Sequence, residues 1–432
     1  MQATLRRLEK AIRELHEELA QALYADFGKS SLETLTTETS VVLSEIQYLR
    51  RKGASLRKPR RVRTPLAHWP ARSVIWSEPW GKVLVLAPWN FPFQLALVPA
   101  LSAWAAGNQV VLKPSERTPA TSALIAKLVA EHFTPAEFTV VTGDAEVAAS
   151  LLAKPWDFVF FTGSREIGRR VGLSASERHI PCVLELGGKS PAVILEGADV
   201  ELAARRLLWG KTVNAGQTCV APDYVLVPSQ LQEVFVDAFR RALRDFFPQG
   251  PLASPDLARI IHRQAWERLE ALARSGTIAC GGEKDRERLL LGPTLLTDVT
   301  WNDPLMAGEI FGPLLPVLTY TSLEDAKQHI SLARDPLALY VFGPPRQAEA
   351  FFLSVPAGGG CVNDVLLHFA NTNLPFGGRG SSGWGQYHGA AGWRTFRREK
   401  SLVLRPSWGD WPFRYPPYTT GKFKLLKRIL GS

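Results

Sequence analysis

The stretch that decides the fold is Asp157-Phe158-Val159-Phe160-Phe161-Thr162-Gly163-Ser164-Arg165-Glu166-Ile167-Gly168. An apolar strand runs into a glycine turn, and a helix begins directly after it. Backbone N–H groups at such a helix start can bind a phosphate, because glycine allows close approach. The spacing is not the GxGxxG of the common dinucleotide fingerprint, and a turn with two glycines can also be purely structural. The residues of this turn therefore leave both interpretations open.

The same alternation of strand and helix extends on both sides of this stretch. Apolar runs predict strands at 82–86, 110–112, 138–142 and 157–162, and helical patterns separate them at 95–106, 119–131, 144–153 and 166–176. This order predicts an α/β fold with a parallel sheet covered on both faces. Sheets of this kind bind ligands at the carboxyl ends of their strands.

The flanking regions predict a helical start and a second α/β domain. The spacing of Leu5 to Leu23 predicts one amphipathic helix that ends at Phe27-Gly28, and a helical pattern continues toward Leu49. The proline-marked basic segment 51–65 is typical of a surface connection. Beyond residue 219 the patterns predict strands at 224–227, 294–296, 315–318 and 339–342 and helices at 229–246, 255–275 and 322–333.

Length and composition favour an intracellular globular protein. A chain of 432 residues with 46% hydrophobic and 21% charged residues predicts two or three domains. Its four cysteines lack paired spacing, which argues against a disulfide framework or a CxxC metal site and favours a reducing compartment. The amino terminus does not resemble a signal peptide, and the apolar window 93–106 is shorter than a membrane span. We predict a soluble, cytoplasmic protein.

The net charge of +10 has local sources. Residues 51–63 hold seven Lys or Arg and no acid, and residues 422–428 hold four more. Without interleaved aromatic residues or a nucleic-acid motif, these runs are typical of solvated basic surfaces. We therefore predict no nucleic-acid partner.

Two stretches contain residues suited to chemistry. Cys219 follows Asn214-Ala215-Gly216-Gln217-Thr218, a small and polar setting in which a thiol could ionise, although free cysteines are most often buried and inert. Glu185 lies within an apolar strand that ends in Gly187-Gly188. Burial would raise its pKa toward the range of a general base, whereas an edge-strand position would leave it facing water. The residues alone leave both alternatives open.

Several stretches, in this order, resemble the aldehyde dehydrogenase superfamily and its class 3 or fatty-aldehyde branch. The resemblance extends from about residue 5 to about residue 418. The matching stretches are Ala87-Pro88-Trp89-Asn90-Phe91-Pro92-Phe93, Val111-Leu112-Lys113-Pro114-Ser115-Glu116, Phe161-Thr162-Gly163-Ser164, Leu184-Glu185-Leu186-Gly187-Gly188-Lys189-Ser190-Pro191, Asn214 to Tyr224, Glu309-Ile310-Phe311-Gly312-Pro313 and Leu374-Pro375-Phe376-Gly377-Gly378.

The resemblance implies oxidation of an aldehyde to a carboxylic acid with NAD or NADP. Cys219 would attack the carbonyl, and the Asn90 side chain with the Cys219 backbone N–H would hold the oxyanion. Glu185 would activate the water that hydrolyses the thioester. The cofactor-binding residues implied by the family pattern are Trp89, Lys113, Glu116, Gly163, Ser164, Gly168, Glu309 and Phe311.

The resemblance also implies a division into domains, and two alternative functions remain open. Residues 1–186 would bind the cofactor, with a bridging hairpin at about 67–82; 187–397 would be catalytic; and 398–432 would bridge the subunits of a homodimer. Medium or long aliphatic or aromatic aldehydes are the implied substrates, and the basic tail could touch a membrane surface. Gly308 and Arg379 depart from the branch pattern. A CoA-acylating relative and a catalytically silent relative are the alternatives.

Overall fold

A computed structural model describes residues 1–430, and residues 431 and 432 lie outside the described range. The described residues form two α/β layers, a three-stranded antiparallel sheet and a two-stranded antiparallel sheet. The strands in chain order are β1 (Arg60–Val62), β2 (Arg72–Pro79), β3 (Lys82–Leu86), β4 (Gln109–Lys113), β5 (Phe138–Val140), β6 (Phe158–Gly163), β7 (Cys182–Leu186), β8 (Pro191–Ile194), β9 (Tyr224–Pro228), β10 (Thr277–Cys280), β11 (Lys284–Asp285), β12 (Leu290–Leu291), β13 (Thr294–Thr297), β14 (Leu314–Tyr320), β15 (Ala338–Phe342), β16 (Gly359–Val362), β17 (Gly383–Trp384) and β18 (Arg397–Leu404).

The helices connect these strands and cover the sheets. In chain order they are α1 (Gln2–Glu14), α2 (His16–Phe27), α3 (Ser31–Thr34), α4 (Ser40–Leu56), α5 (Gln94–Ala105), α6 (Pro119–His132), α7 (Ala145–Leu152), α8 (Arg165–Glu177), α9 (Val200–Thr212), α10 (Gln232–Phe246), α11 (Arg263–Leu272), α12 (Leu323–Leu332), α13 (Pro345–Ser354), α14 (Leu367–Ala370), α15 (Gly389–Thr395) and α16 (Thr420–Leu430). A π-helical turn, Leu35–Thr39, joins α3 to α4.

The predicted parallel sheet is confirmed in the first half of the chain. Its order is β17-β7-β6-β3-β4-β5, and β3 to β7 all run parallel. Alternate residues of β3 enter opposite cores: Val83 and Val85 pack with α5, whereas Leu84 and Leu86 pack with residues of α7 and α8. Strands with two buried faces need continuous apolar sequence, which explains the apolar runs.

The second α/β layer is also a mostly parallel sheet, in the order β10-β13-β14-β9-β8-β15-β16 with β10 antiparallel. Together the two sheets confirm the predicted α/β class. Among residues 1–430, no helix combines the length and the apolar composition that crossing a bilayer requires. The apolar window 93–106 instead forms α5, every residue of which is buried in the protein.

A small antiparallel sheet joins distant parts of the chain. β2 pairs with β1 and, over eight residue pairs from Arg397↔Pro79 to Leu404↔Arg72, with β18. β2 lies inside the segment predicted as a bridging hairpin, and its partners are β1 and β18. β17 comes from residues 383–384 and completes the first sheet. The three domain boundaries stay a prediction.

Some local predictions are wrong. The helix expected at 255–275 is shorter in the structure: α11 is followed by a 3-10 turn at Ala273–Ser275, and residues 255–262 form an irregular loop. The His262 side chain accepts a hydrogen bond from Ala265 N that starts α11. The amino-terminal helix is divided at Leu15 into α1 and α2. The basic segment 51–65 is helical as far as Leu56 and then forms β1. Capping and tertiary packing outweigh periodicity at these boundaries.

Candidate active site

The loop that carries Cys219 has an unusual backbone. Asn214 and Ala215 adopt left-handed conformations with φ of 52° and 50°, and Gly216 follows at 70°. Left-handed geometry costs a residue with a β-carbon about 1–2 kcal/mol. A β-carbon at Gly216 would lie 2.3 Å from the Gly312 carbonyl oxygen, so the loop packs closely on the 309–313 loop. This strained backbone conformation allows the cysteine stretch and the 309–313 stretch, two of the motifs quoted from the sequence, to meet at Cys219.

Asn90 lies beside this loop, after the carboxyl end of β3. Its side-chain Nδ2 donates to the Gln217 carbonyl at 3.1 Å. The Asn214 side chain donates to the Asn90 carbonyl at 2.8 Å and to the Gln217 carbonyl at 3.1 Å. These bonds hold the Asn90 amide next to the cysteine loop. An amide fixed in this way keeps a second N–H available for a substrate oxygen.

Glu185 is buried in β7 and is only 3% exposed. The water-facing alternative is excluded, since β17 pairs with β7 at Gly383↔Glu185 and covers that edge. Neither carboxylate oxygen has a hydrogen-bond partner among residues 1–430. Burial raises the pKa of Glu185 well above its ordinary value. An unpaired buried carboxylate is costly and is typical of a functional group.

The surroundings of the Cys219 thiol disfavour its ionised form. Burial raises its pKa, and Glu309 and Glu185 raise it further when they are ionised. The structure therefore differs from the expectation of a thiol in a polar setting that favours ionisation. Attack by this sulfur requires transfer of its proton, since the thiolate is the nucleophile. Glu185 and Glu309 can accept this proton when they are ionised.

A cavity of about 730 Å³ runs along the carboxyl ends of the first sheet to Cys219. It is lined by every predicted site residue except Gly168: Trp89, Asn90, Lys113, Glu116, Gly163, Ser164, Glu185, Cys219, Glu309 and Phe311. Lys113 Nζ donates to Glu116 Oε2 at 2.6 Å. Partial burial acts to raise the pKa of Glu116, but the bond and charge of Lys113 outweigh it and lower the pKa. Glu116 is therefore ionised at neutral pH and can accept hydroxyl donors.

The glycine turn of the deciding stretch forms one wall of this cavity. Ser164 caps α8 by accepting a hydrogen bond from Ile167 N at 3.4 Å. A β-carbon at Gly168 would lie 2.2 Å from Leu186 Cδ2, so this glycine lets α8 pack on β7 and does not line the cavity. Free N–H groups at the start of a 13-residue helix suit an anionic group.

The loop with Glu309 and Phe311 closes the other side. Phe311 packs edge-on against Trp89, with ring centroids 5.5 Å apart. Burial raises the pKa of Glu309 to about 8, and its Oε1 has no hydrogen-bond partner within residues 1–430. A β-carbon at Gly187 would lie 1.9 Å from Glu309 Oε2, so the glycine makes room for the carboxylate.

Sequence reasoning missed the groups that support this loop. Lys189 donates to Asp223 at 2.6 Å and to the Gly308 carbonyl at 3.0 Å. Asp223 in turn accepts from Ile310 N at 2.9 Å, so a buried ion pair fixes the backbone on both sides of Glu309. Lys189 and Asp223 both lie within matching stretches of the sequence, which is the signal that could have identified them. Arg379, a departure from the branch pattern, pairs with Asp335 at 3.3 Å.

A second, apolar cavity of about 230 Å³ lies on the other side of Cys219. Its walls are mostly carbon-rich side chains that sequence reasoning did not assign, among them Phe91, Leu95, Trp209, Phe369, Phe376 and Tyr387. Phe91 and Phe376 were visible in the matching stretches 87–93 and 374–378, but the others come from four further elements or loops. Only the fold brings them together.

The two cavities meet at four residues. Thr162, Glu185, Leu186 and Cys219 line both of them. A molecule in the long cavity and another in the apolar cavity would therefore face each other across the thiol and the unpaired carboxylate. Among residues 1–430, no group of three or more His, Cys, Asp or Glu is arranged to hold a metal ion.

Comparisons with known proteins agree with this geometry. The profile of the Aldehyde dehydrogenase family matches residues 1–402. Aldehyde dehydrogenase family 3 member H1 of Arabidopsis thaliana is 42% identical over 424 residues, which cover 96% of this chain and 88% of that protein. The solved substrate-bound state of Staphylococcus aureus AldH has a TM-score of 0.95 and 41% identity, and the match covers 99% of this chain and 94% of that one.

A solved NAD+ complex of an aldehyde dehydrogenase from Bacillus cereus has a TM-score of 0.86 at 29% identity, and the match covers 93% of this chain and 83% of that one. The predicted resemblance to the superfamily and its class 3 branch is confirmed. The chain belongs to the aldehyde dehydrogenase family, whose members oxidise aldehydes.

Proposed function

We propose that this protein oxidises an apolar aldehyde to the free carboxylic acid with NAD or NADP as the electron acceptor. The observation that carries the proposal is that Cys219 and Glu185 line both cavities. A nucleophile and a base at that junction can act on a carbonyl placed between an apolar pocket and a long cofactor-sized cavity.

The long cavity has the chemistry that a dinucleotide needs. We propose that Lys113 and Glu116 bind the adenosine ribose, that Gly163 and Ser164 lie at the pyrophosphate, and that Gly168 allows their helix to pack. Glu309, with its orphaned Oε1, would accept the hydroxyls of the nicotinamide ribose beside Phe311 and Trp89. When bound, the oxidised nicotinamide supplies the hydride acceptor for the reaction.

The residues of this chain carry the remaining steps. The Cys219 thiol loses its proton to a neighbouring carboxylate, which passes it to solvent, and the sulfur adds to the aldehyde carbon. The carbonyl oxygen becomes an alkoxide, which the Asn90 side-chain N–H and the Cys219 backbone N–H stabilise. After hydride loss the acyl group is a thioester on Cys219. Glu185 then takes a proton from water, and the hydroxyl oxygen attacks the thioester carbon. The carbon–sulfur bond breaks, Glu185 returns the proton to the Cys219 sulfur, and the carboxylic acid is released.

The presence of Glu185 favours water over CoA as the acyl acceptor. Both oxygens of this carboxylate lack partners among the described residues, so they are available to a water molecule. A catalytically silent relative is disfavoured, because Asn90, Cys219 and Glu185 are all assembled at one place.

The apolar cavity supports medium or long aliphatic or aromatic aldehydes as substrates, since rings and branched side chains line it.

We also propose a homodimer, whose bridge consists of the sheet of β1, β2 and β18 and the segment 398–432. The proposed cofactor domain is 1–186, and the proposed catalytic domain is 187–397. A cytoplasmic location is supported by the free thiols of Cys182, Cys219, Cys280 and Cys361. A weak contact of the basic helix α16 with a membrane surface belongs to the same proposal.

The test mixes the purified protein with NAD or NADP and aldehydes of increasing chain length, and follows absorbance of the reduced cofactor. Acid formation without CoA, rising with the apolar length of the aldehyde, is expected. Acyl-CoA formation that is required for turnover would establish the CoA-acylating alternative. No turnover with any aldehyde and either cofactor would contradict the proposal.

Removing the Asn90 amide should slow the chemical step. Asn90→Ala deletes the side-chain donor at the alkoxide, and loss of one such donor costs about 100- to 1,000-fold in kcat. KM for the aldehyde should change little, because the charge develops only after attack. Steady-state kinetics with a saturating cofactor measures both values. An equal loss in kcat after replacement of Asn108, a buried asparagine that bonds backbone carbonyls, would assign the effect to folding instead.

A further inference from the structure

Segment 29–38, near the amino terminus, contacts the loop 214–219 that carries Cys219 (the cysteine loop). Glu33 Oε1 accepts a hydrogen bond from the backbone N–H of Asn214 at 2.8 Å. Asn214 is the first of the left-handed residues before Cys219, and its side chain binds the Asn90 carbonyl. Glu33 is therefore bonded to Asn214, the residue that links the cysteine loop to Asn90.

A buried ion pair in the same segment braces Asn90. Lys29 and Glu38 are both 0% exposed, and Lys29 Nζ donates to Glu38 Oε1 at 2.8 Å and to the Asn90 carbonyl at 3.5 Å. Glu38 Oε2 accepts from Phe93 N at 3.2 Å and Gln94 N at 2.9 Å, the start of α5. The chain that leaves Asn90 is thus fixed by Glu38, and Asn90 itself by Lys29.

We propose that Glu33 is a positioning residue that holds the strained loop at Asn214 and thereby sets the reactivity of the Cys219 thiol. The inference rests on the proposed function, since it assigns Cys219 as the nucleophile. A left-handed stretch before a nucleophile persists only when surrounding bonds overdetermine it. Without the Glu33 acceptor, the buried Asn214 N–H loses its partner and the stretch can relax.

The charge of Glu33 gives this support a pH dependence. Burial raises the pKa of Glu33 to about 7; the charge of Lys29 lowers it, and those of Glu38 and Asp256 raise it. A hydrogen bond to an ionised acceptor is stronger than one to a neutral acceptor. Support for the loop should therefore increase as the pH rises through about 7.

Glu45 offers a matched control. It is a fully buried carboxyl, whereas Glu33 is half-buried; burial raises the pKa of Glu45 to about 7 as well, and it too accepts a backbone N–H, that of Gly389 at 3.0 Å. It makes no hydrogen bond with the cysteine loop. Because both carboxyls titrate higher in the folded than in the unfolded chain, each lowers stability as the pH rises from about 4.5 to about 7. Glu33→Gln and Glu45→Gln should both raise the melting temperature at pH values above that window.

The experiment compares Glu33→Gln, Glu33→Ala and Glu45→Gln. We expect kcat to fall roughly 10-fold in Glu33→Gln and roughly 100-fold in Glu33→Ala, with KM nearly unchanged, since small misplacement of reacting groups can cost about 100-fold. In the wild type, the rate of Cys219 alkylation by iodoacetamide should change with pH near pH 7. This change should disappear in Glu33→Gln and persist in Glu45→Gln. Melting temperatures separate these effects from unfolding.

The inference is overturned if Glu33→Gln keeps the wild-type kcat and the wild-type pH profile of alkylation, or if Glu45→Gln shows the same losses. The alkylation assay needs neither aldehyde nor cofactor. If the wild type oxidises no aldehyde, the proposed function fails while alkylation still decides the role of Glu33. If the wild type oxidises aldehydes and Glu33→Gln behaves as the wild type, only the inference fails.

Discussion

Cys219→Ala should abolish aldehyde oxidation, with kcat reduced by about four orders of magnitude or more, because removal of a covalent nucleophile eliminates the pathway and not only one stabilising contact. The loss should be confined to chemistry. Cys219 lies where the two cavities meet, and the groups proposed to hold the cofactor lie elsewhere in the long cavity. Binding of the reduced cofactor, followed by its fluorescence, should therefore persist in the variant.

A matched control is available in Cys280, a free and partly buried cysteine on the edge strand β10. Cys280→Ala removes the same atoms outside both cavities and should retain full activity. Unchanged turnover in Cys219→Ala would disprove the proposed mechanism. A comparable loss in both variants would show that the assay reports general damage to the protein.

Glu185→Gln should separate the two halves of the reaction. The variant keeps the size of the side chain but cannot accept a proton from water, and loss of a general base costs about 100- to 10,000-fold. Reduced cofactor should appear as a burst of about one equivalent per site, followed by slow turnover as the thioester accumulates. Rapid mixing with absorbance detection measures the burst, and acid quenching recovers the acyl-enzyme.

The pH dependence has a defined direction. Burial raises the pKa of Glu185, so the carboxylate form that acts as base gains population as the pH increases. The rate of thioester hydrolysis in the wild type should rise as the pH rises through the pKa of Glu185. This rise should be lost in Glu185→Gln. Glu309→Gln is the comparison, since it alters another buried carboxyl of the same cavity. It should slow turnover without a burst. Full steady turnover in Glu185→Gln would exclude the assigned role.

The central strands of the parallel sheets were predictable because they are apolar on both faces. Because both sides of the sheet are covered, a strand such as Val83-Leu84-Val85 is continuously apolar. The alternation of such strands with helical segments can be recognised from the sequence. Local boundaries were less predictable. The loop at 255–262 has the spacing of a helix, but the His262 side chain starts α11 only at Arg263.

The candidate site divides in the same way. Glu185 and Cys219 were selected from their residue types and their settings, Asn90 came from the resemblance, and all three line the long cavity. Glu33 and Lys29 were not selected. Polar residues in an amphipathic helical pattern are typical of a solvated surface, and only the packing of segment 29–38 under the cysteine loop gives them buried partners.

The sequence by itself determined the α/β class and the membership of a family, because these depend on local patterns and on short motifs. Through the resemblance it also supplied the side chains that we propose as reactive. The tertiary structure decided the state of those side chains. Burial and two carboxyl groups from distant segments raise the pKa of the Cys219 thiol, and pairing with β17 makes Glu185 a buried residue and not an edge residue. Desolvation and charge depend on neighbours in space, which the order of residues does not specify.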